Sequence, residues 1–123
     1  MKNNSEIYIR FLNLATALNI SPSTREGLRE GTKEVLEEIA RRGASGDRPS
    51  VSDLMGMRWI GSPATMHRRI GKLRKSGLIC IVQDKNDRRI KRVELSDCGL
   101  SLIAKLSAIM QQAVASEKGQ NHA

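Results

Sequence analysis

The stretch GSPATMHRRIGKLRKSGLICIVQDKNDRRIKRVEL, residues 61–95, leaves the chain few ways to fold. It contains a helix with explicit start and stop signals, and a hairpin that must follow without a linker. Ser62 is a strong N-cap residue type, and Pro63 stands at the first helical position, where its missing N–H costs nothing. Gly77 stands where helices commonly end in a left-handed residue. On a wheel of 100° per residue, Met66, Ile70 and Leu73 fall within about 60° of one another and form the buried stripe. The opposite face carries Ala64, Arg68, Gly71 and Lys75, flanked by Thr65, His67 and Lys72, so it begins with small residues and continues basic. LICIVQ, residues 78–83, is a short apolar run rich in β-branched side chains. IKRVEL, residues 90–95, is a second, with Val93 and Leu95 on one face and Arg92 and Glu94 on the other. DKNDRR, residues 84–89, reads as the tip of the antiparallel hairpin between them.

The elements before and after follow from caps and periodicity. From Glu6 to about Leu18, Ile7, Phe11, Leu14 and Leu18 recur at helical spacing, while Tyr8, Leu12 and Ala15 widen the apolar stripe. Ser23 with Glu26 forms a capping-box signal for a second helix, with Leu28, Val35, Leu36 and Ile39 on its inner face. The Glu37/Arg41 and Glu38/Arg42 pairs lie on its outer face. The turn-rich GASGDRP ends it. A short helix starts at Ser50, with Asp53 at its third position and Leu54 and Met55 pointing inward; Trp59, Ile60 and Gly61 then turn the chain into Ser62. After the hairpin, Ser96 caps a last helix whose Leu102, Ile103, Leu106, Ile109, Met110 and Ala113 spread over two faces, and the polar tail from Glu117 is expected to fray. The predicted fold is mainly α (α+β), a single domain of modest core. It comprises an N-terminal helical segment (1–20), a winged helix-turn-helix core (24–95), a C-terminal helix (96–116) and a tail (117–123).

Charge narrows the function. The chain carries a net +8, and residues 58–92 alone hold eleven Lys/Arg against Asp84 and Asp87, a net +9 that leaves −1 for the rest. A neutral body with one strongly basic segment suits a polyanionic ligand. Tyr8, Phe11 and Trp59 are the only aromatic residues, which leaves little to stack on single-stranded bases. Cys80 and Cys98 lie 18 residues apart without Cys/His clustering, so neither a metal site nor a cofactor is expected, and reduced thiols are favoured over a redox sensor. No run of about 18 consecutive apolar residues and no signal-peptide pattern at MKNNSE are present, so the expectation is a cytoplasmic protein with no membrane partner.

Two helices joined by a short turn, the second basic and led by small residues, followed at once by a hairpin with a cationic tip, suit duplex DNA. Small residues at a helix N-terminus admit the backbone to the major groove, and a narrow arginine-bearing tip reaches the adjacent minor groove. These residues resemble a known family. Val51 to Ile103 looks like the DNA-binding lobe of MarR-type transcriptional regulators: SVSDLM resembles their first motif helix, SPATMHRRIGKLRKSGLI their recognition helix and following strand, and DKNDRRIKRVELSDCG their wing. The resemblance covers about half the chain, and the wing is its most specific part. It implies that Ser62, Ala64, Thr65, His67 and Arg68 face bases or nearby phosphates, with Lys72 and Lys75 continuing the basic face. It also implies that Asp87 orients the wing while Arg88 or Arg89 enters the minor groove. Members are usually homodimers built from terminal helices. This sequence has one helix after the wing where many members have two, which implies a reduced interface and puts a small-molecule effector pocket in doubt.

The leading reading is a sequence-specific double-stranded DNA-binding regulator, most simply a repressor. A winged-helix protein-interaction module and a replication-initiator or nucleoid-type DNA binder are the alternatives. An enzyme is disfavoured, because no paired carboxylates, activated nucleophile or phosphate-cradling glycine loop is visible. Apolar residues on more than one face of the first and last helices point to a homodimer joined through Phe11, Leu14, Leu106 and Met110.

Overall fold

A computed structural model describes residues 5–18, 20–29 and 31–120. The chain runs α1 (Ser5–Ala17), α2 (Pro22–Gly27), α3 (Thr32–Ala44), α4 (Val51–Met55), α5 (Pro63–Lys75), β1 (Ile79–Gln83), β2 (Lys91–Leu95) and α6 (Asp97–Gln120). It is mainly helical, with one two-stranded antiparallel hairpin, the winged helix-turn-helix order read from the sequence. Two compact units are distinct, one within residues 21–100 and the other within 1–20 and 101–123.

The 21–100 unit holds most of the core. Val35, Leu36 and Ile39 of α3, Leu54 of α4, Met66, Ile70 and Leu73 of α5, and Ile79 and Val93 of the hairpin are buried. Fully burying side chains of this size stabilises by roughly 1.5–3 kcal/mol each before the ordering cost. The stripe Met66–Ile70–Leu73 is the one the helical period marks. Met57, two residues past the end of α4, is buried, whereas Met55, expected inside, is only partly covered. The hairpin pairs Ile79 with Leu95, Cys80 with Glu94, Ile81 with Val93, Val82 with Arg92 and Gln83 with Lys91. Its outer edge is closed by the loop before α4: Val93 N donates to Pro49 O at 2.9 Å, and Ser50 bridges to Arg92. An edge tied in this way does not invite pairing with another chain.

The predicted second helix is two. Its start is set by Ser21, not Ser23: the Ser21 hydroxyl accepts from Thr24 N at 3.2 Å, and Pro22 takes the first helical position. Gly31 at φ +82° then breaks the run before α3, a conformation that a residue with a Cβ rarely adopts. Arg41 pairs with Glu38 instead of Glu37, and Arg42 Nε reaches the same carboxylate at 3.1 Å. Glu38, assigned to the outer face, is thus nearly buried and charge-compensated.

In the second unit, no residue of α1 is buried, and the groove of about 320 Å³ between α1 and α6 is lined by Ile7, Tyr8, Phe11, Met110, Ala113 and Val114. Arg10 Nε donates to Ala113 O at 3.2 Å across it. α6 continues to Gln120, past the position where fraying was expected, while residues 1–4 and 121–123 of the terminal segments lie outside the described residues. Over Asp97–Ala115 it is long and apolar enough to cross a membrane by length and composition, a property that core helices share; Leu102, Ile109 and Ala113 are buried here.

Candidate nucleic-acid interface

The start of α5 is built as its sequence requires. The Ser62 hydroxyl accepts from Thr65 N at 3.2 Å and donates to the Thr65 hydroxyl at 3.0 Å, so cap and third residue hold each other. Pro63 follows at the first position. With Met66, Ile70 and Leu73 buried, Ala64, His67, Arg68 and Lys75 are exposed on the outward side, while Thr65 and Lys72 are partly covered. Ala64 and Arg68 stand one turn apart on that side, a small residue followed by a long cation. The first unit of the helix pair, α4, is anchored by a complete capping box: Ser50 Oγ accepts from Asp53 N, and Asp53 Oδ2 accepts from Ser50 N, both at 2.9 Å. The Ser50 N–H bond to Asp53 holds that carboxyl below the usual carboxylate range.

The wing tip is organised by two aspartates. Asp84 Oδ2 accepts from the backbone N–H groups of Asn86 and Asp87, and its Oδ1 accepts from Arg92 Nε, all at 3.0 Å. Asp84 N donates to Ile90 O and Ile90 N to Asp87 O, closing the turn at its base. Arg92 Nη1 also donates to Arg48 O at 3.2 Å, and Arg48 pairs with Glu94 at 2.8 Å, so the wing is fastened to the loop before α4. Asp87 has a different task. Its Oδ1 accepts from Arg89 N and Nε and its Oδ2 from Arg89 Nη2, a two-pronged pair that aims the guanidinium while leaving it 90% exposed. Hydrogen bonding by Arg92 lowers the Asp84 pKa, bonding by Arg89 lowers that of Asp87, and Asp87 in turn raises that of Arg89. Arg88 beside it is exposed and makes no ion pair among the described residues. The two tip arginines, equivalent in sequence, therefore differ: Arg89 is preset by Asp87 and Arg88 is not.

All nine predicted DNA-facing residues and Asp87 fall on the helix-turn-helix and wing of the 21–100 unit. Phe11, Leu14, Leu106 and Met110 fall on α1 and α6, and of these only Met110 is highly exposed, as are Tyr8, Ile9, Leu12, Leu100 and Val114 on the same helices. Sequence reading misses Asp84, Arg92 and Arg69, the last of which turns inward from α5 to donate to Ile60 O at 3.0 Å. The i,i+3 spacing of Asp84 and Asp87 was the available signal for the first. Cys80 lies beside Glu94, its Sγ 3.8 Å from the carboxylate, and burial followed by that negative charge pushes the thiol pKa up, which disfavours the reactive thiolate. Among the described residues no group of His, Cys, Asp and Glu is arranged to hold a metal ion.

No protein-family model matches the sequence, and no curated protein matches it. Solved structures do match in fold. S. aureus MepR with ethidium bromide bound superposes with a TM-score of 0.66 at 14% identity, over 94% of this chain and 75% of that one. A transcriptional regulator from Thermotoga maritima gives 0.63 at 14% identity, over 93% and 71%. A MarR-like transcriptional regulator from the same organism gives 0.62 at 15% identity, over 97% and 83%. The fold is that of the MarR-type winged-helix regulators.

Proposed function

We propose that this chain is a double-stranded DNA-binding transcriptional regulator that reads a sequence with α5 in the major groove, clamps it with the wing in the minor groove, and represses by occluding a promoter. The observation that carries this reading is the wing tip, where Asp87 commits its carboxylate to aiming Arg89 outward, beside an Arg88 that has no ion pair among the described residues. A tip meant only for solubility has no need of a preset guanidinium, and a narrow cationic tip suits the negative potential of a minor groove. The start of α5, with Ser62, Ala64, His67 and Arg68 exposed and Thr65 half-buried beside them, supplies the reading face, and Lys72 and Lys75 the phosphate contacts beyond it.

The protein is proposed to act as a homodimer. α1 has no buried residue within one chain, and Tyr8, Ile9, Leu12, Met110 and Val114 expose apolar surface on α1 and α6. A second copy covers such a surface on a two-fold axis, with Phe11, Leu14 and Leu106 beneath it. Selection of bound sequences from random duplexes tests both parts. Enrichment of an inverted repeat supports a dimeric reader. Enrichment of nothing, with binding that follows salt alone, would reduce the protein to a nucleoid-type binder.

A further inference from the structure

Five cations stand between residues 68 and 75 of α5, and one of them does not behave as a surface charge. The Arg69 side chain runs back toward the helix start, as helical side chains do, and its Nη1 donates to Ile60 O in the turn between α4 and α5. One glycine makes room for it, and a second lies in ordinary contact with it. A Cβ on Gly31, which is already in the left-handed region at φ +82°, would lie 2.6 Å from Arg69 Cζ and Nη2, and one on Gly61 would lie 3.5 Å from Nη1. Its Nε is buried and has no hydrogen-bond partner among the described residues. Withholding a guanidinium donor from water costs free energy, and an arginine serving only as a solvated charge would swing out and recover it.

We infer that Arg69 is a positioning residue, a strut from the α2–α3 turn to the α4–α5 turn that fixes where α5 begins and hence the register at which Ser62, Ala64 and Arg68 meet base pairs. The inference rests on the DNA-binding reading above. Ile60 is two residues before the Ser62 cap, so a displacement of its carbonyl is carried directly into the reading face. Such a residue acts on specificity without touching a base, because a reading constellation held loosely loses its geometric discrimination while phosphate attraction persists.

The test uses the full chain with Arg69→Ala, Arg69→Lys and Arg69→Met; the last retains the stem and keeps the test valid if the alanine variant fails to fold. Hydrogen exchange of the Ile60 and Gly61 amides, both bonded to Met57 O, is measured without DNA. Affinity is then measured on the selected duplex and on random duplex across salt. In Arg69→Met, exchange at both amides is expected to accelerate, selected-site affinity to fall about tenfold, random-duplex affinity to stay within about twofold and the salt slope to hold, with Arg69→Lys intermediate. Unchanged exchange overturns the strut whatever the DNA does. Equal loss on both duplexes with a shallower salt slope overturns it too, since Arg69 would then be a phosphate contact. If the parent protein selects no duplex, the DNA reading fails and the register role falls with it, while the exchange data still decide separately whether the strut exists.

Discussion

Asp87 presents both carboxylate oxygens to Arg89, and in doing so carries a negative charge to the tip of the element proposed to approach DNA. Its charge opposes DNA binding while its hydrogen bonds to Arg89 favour it, so substitution tells the two effects apart. By Coulomb's law alone, Asp87→Asn removes a repulsion and should tighten binding. If instead the carboxylate presets Arg89, the amide loses a two-pronged ion pair, and binding should weaken by about threefold to tenfold on selected and random duplex alike. Tighter binding by fluorescence titration would show that Asp87 is only a charge. Asp87 is visible in the sequence only through the resemblance of its segment to a MarR-type wing, which implies an orienting role for it. Asp84 is not, because its work is done toward two backbone N–H groups and toward Arg92, eight residues on, a partner set by hairpin register. Arg69 is hidden for a similar reason: whether a helix cation turns in or out depends on the space left for it by a residue distant in sequence, here Gly31.

Elements with their own local signals are the legible ones. Ser62, Pro63 and Gly77 bound α5, Ser50 and Asp53 start α4, and the two β-branched runs give the hairpin, all from neighbours in sequence. The region 21–31 misleads because Ser21 and Ser23 are both plausible caps, and the break at Gly31 is decided by a left-handed backbone, not by hydrophobic period. The wing as an element has a pH signature. Asp84 and Asp87 have pKa values lowered in the fold, so the folded wing binds protons less readily than the unfolded chain. Its stabilisation is then complete above the ordinary carboxylate pKa of about 3.9 and is lost as pH falls through the lowered values. Amide resonances of Asn86, Asp87 and Arg89 should stay constant from pH 7 to 5 and shift only below about pH 4, with Asp84→Asn abolishing most of the change. A transition centred near pH 6 would contradict this origin.

At the scale of the whole molecule, residues 58–92 hold the excess charge, while α1 and α6 hold most of the exposed large apolar residues, with Trp59 in the turn between α4 and α5 exposed as well. The sequence discloses this division through charge and through apolar residues on more than one helix face, but of Phe11, Leu14, Leu106 and Met110 only Met110 is among the strongly exposed residues, beside Tyr8, Ile9, Leu12, Leu100 and Val114. Period identifies apolar positions; only packing tells which of them the chain covers itself. Met110→Arg, a charge set on an exposed apolar position, should convert a dimeric mass in light scattering to a monomeric one with little change in the helical signal. A parent protein already monomeric at micromolar concentration would remove the dimer from the account. The central claim is that α5 reads and the wing clamps, and it is tested most directly by comparing Arg68→Ala with Arg88→Ala on the selected duplex and on random duplex over a range of salt. Arg68→Ala should cost about 1–3 kcal/mol on the selected site and little on random DNA, relaxing preference at one base pair per half-site. Arg88→Ala should weaken both and flatten the slope of log affinity against log salt by roughly one unit per lost phosphate contact. Uniform loss from Arg68→Ala, with an altered sequence preference from Arg88→Ala, would contradict the account and make the wing the reader.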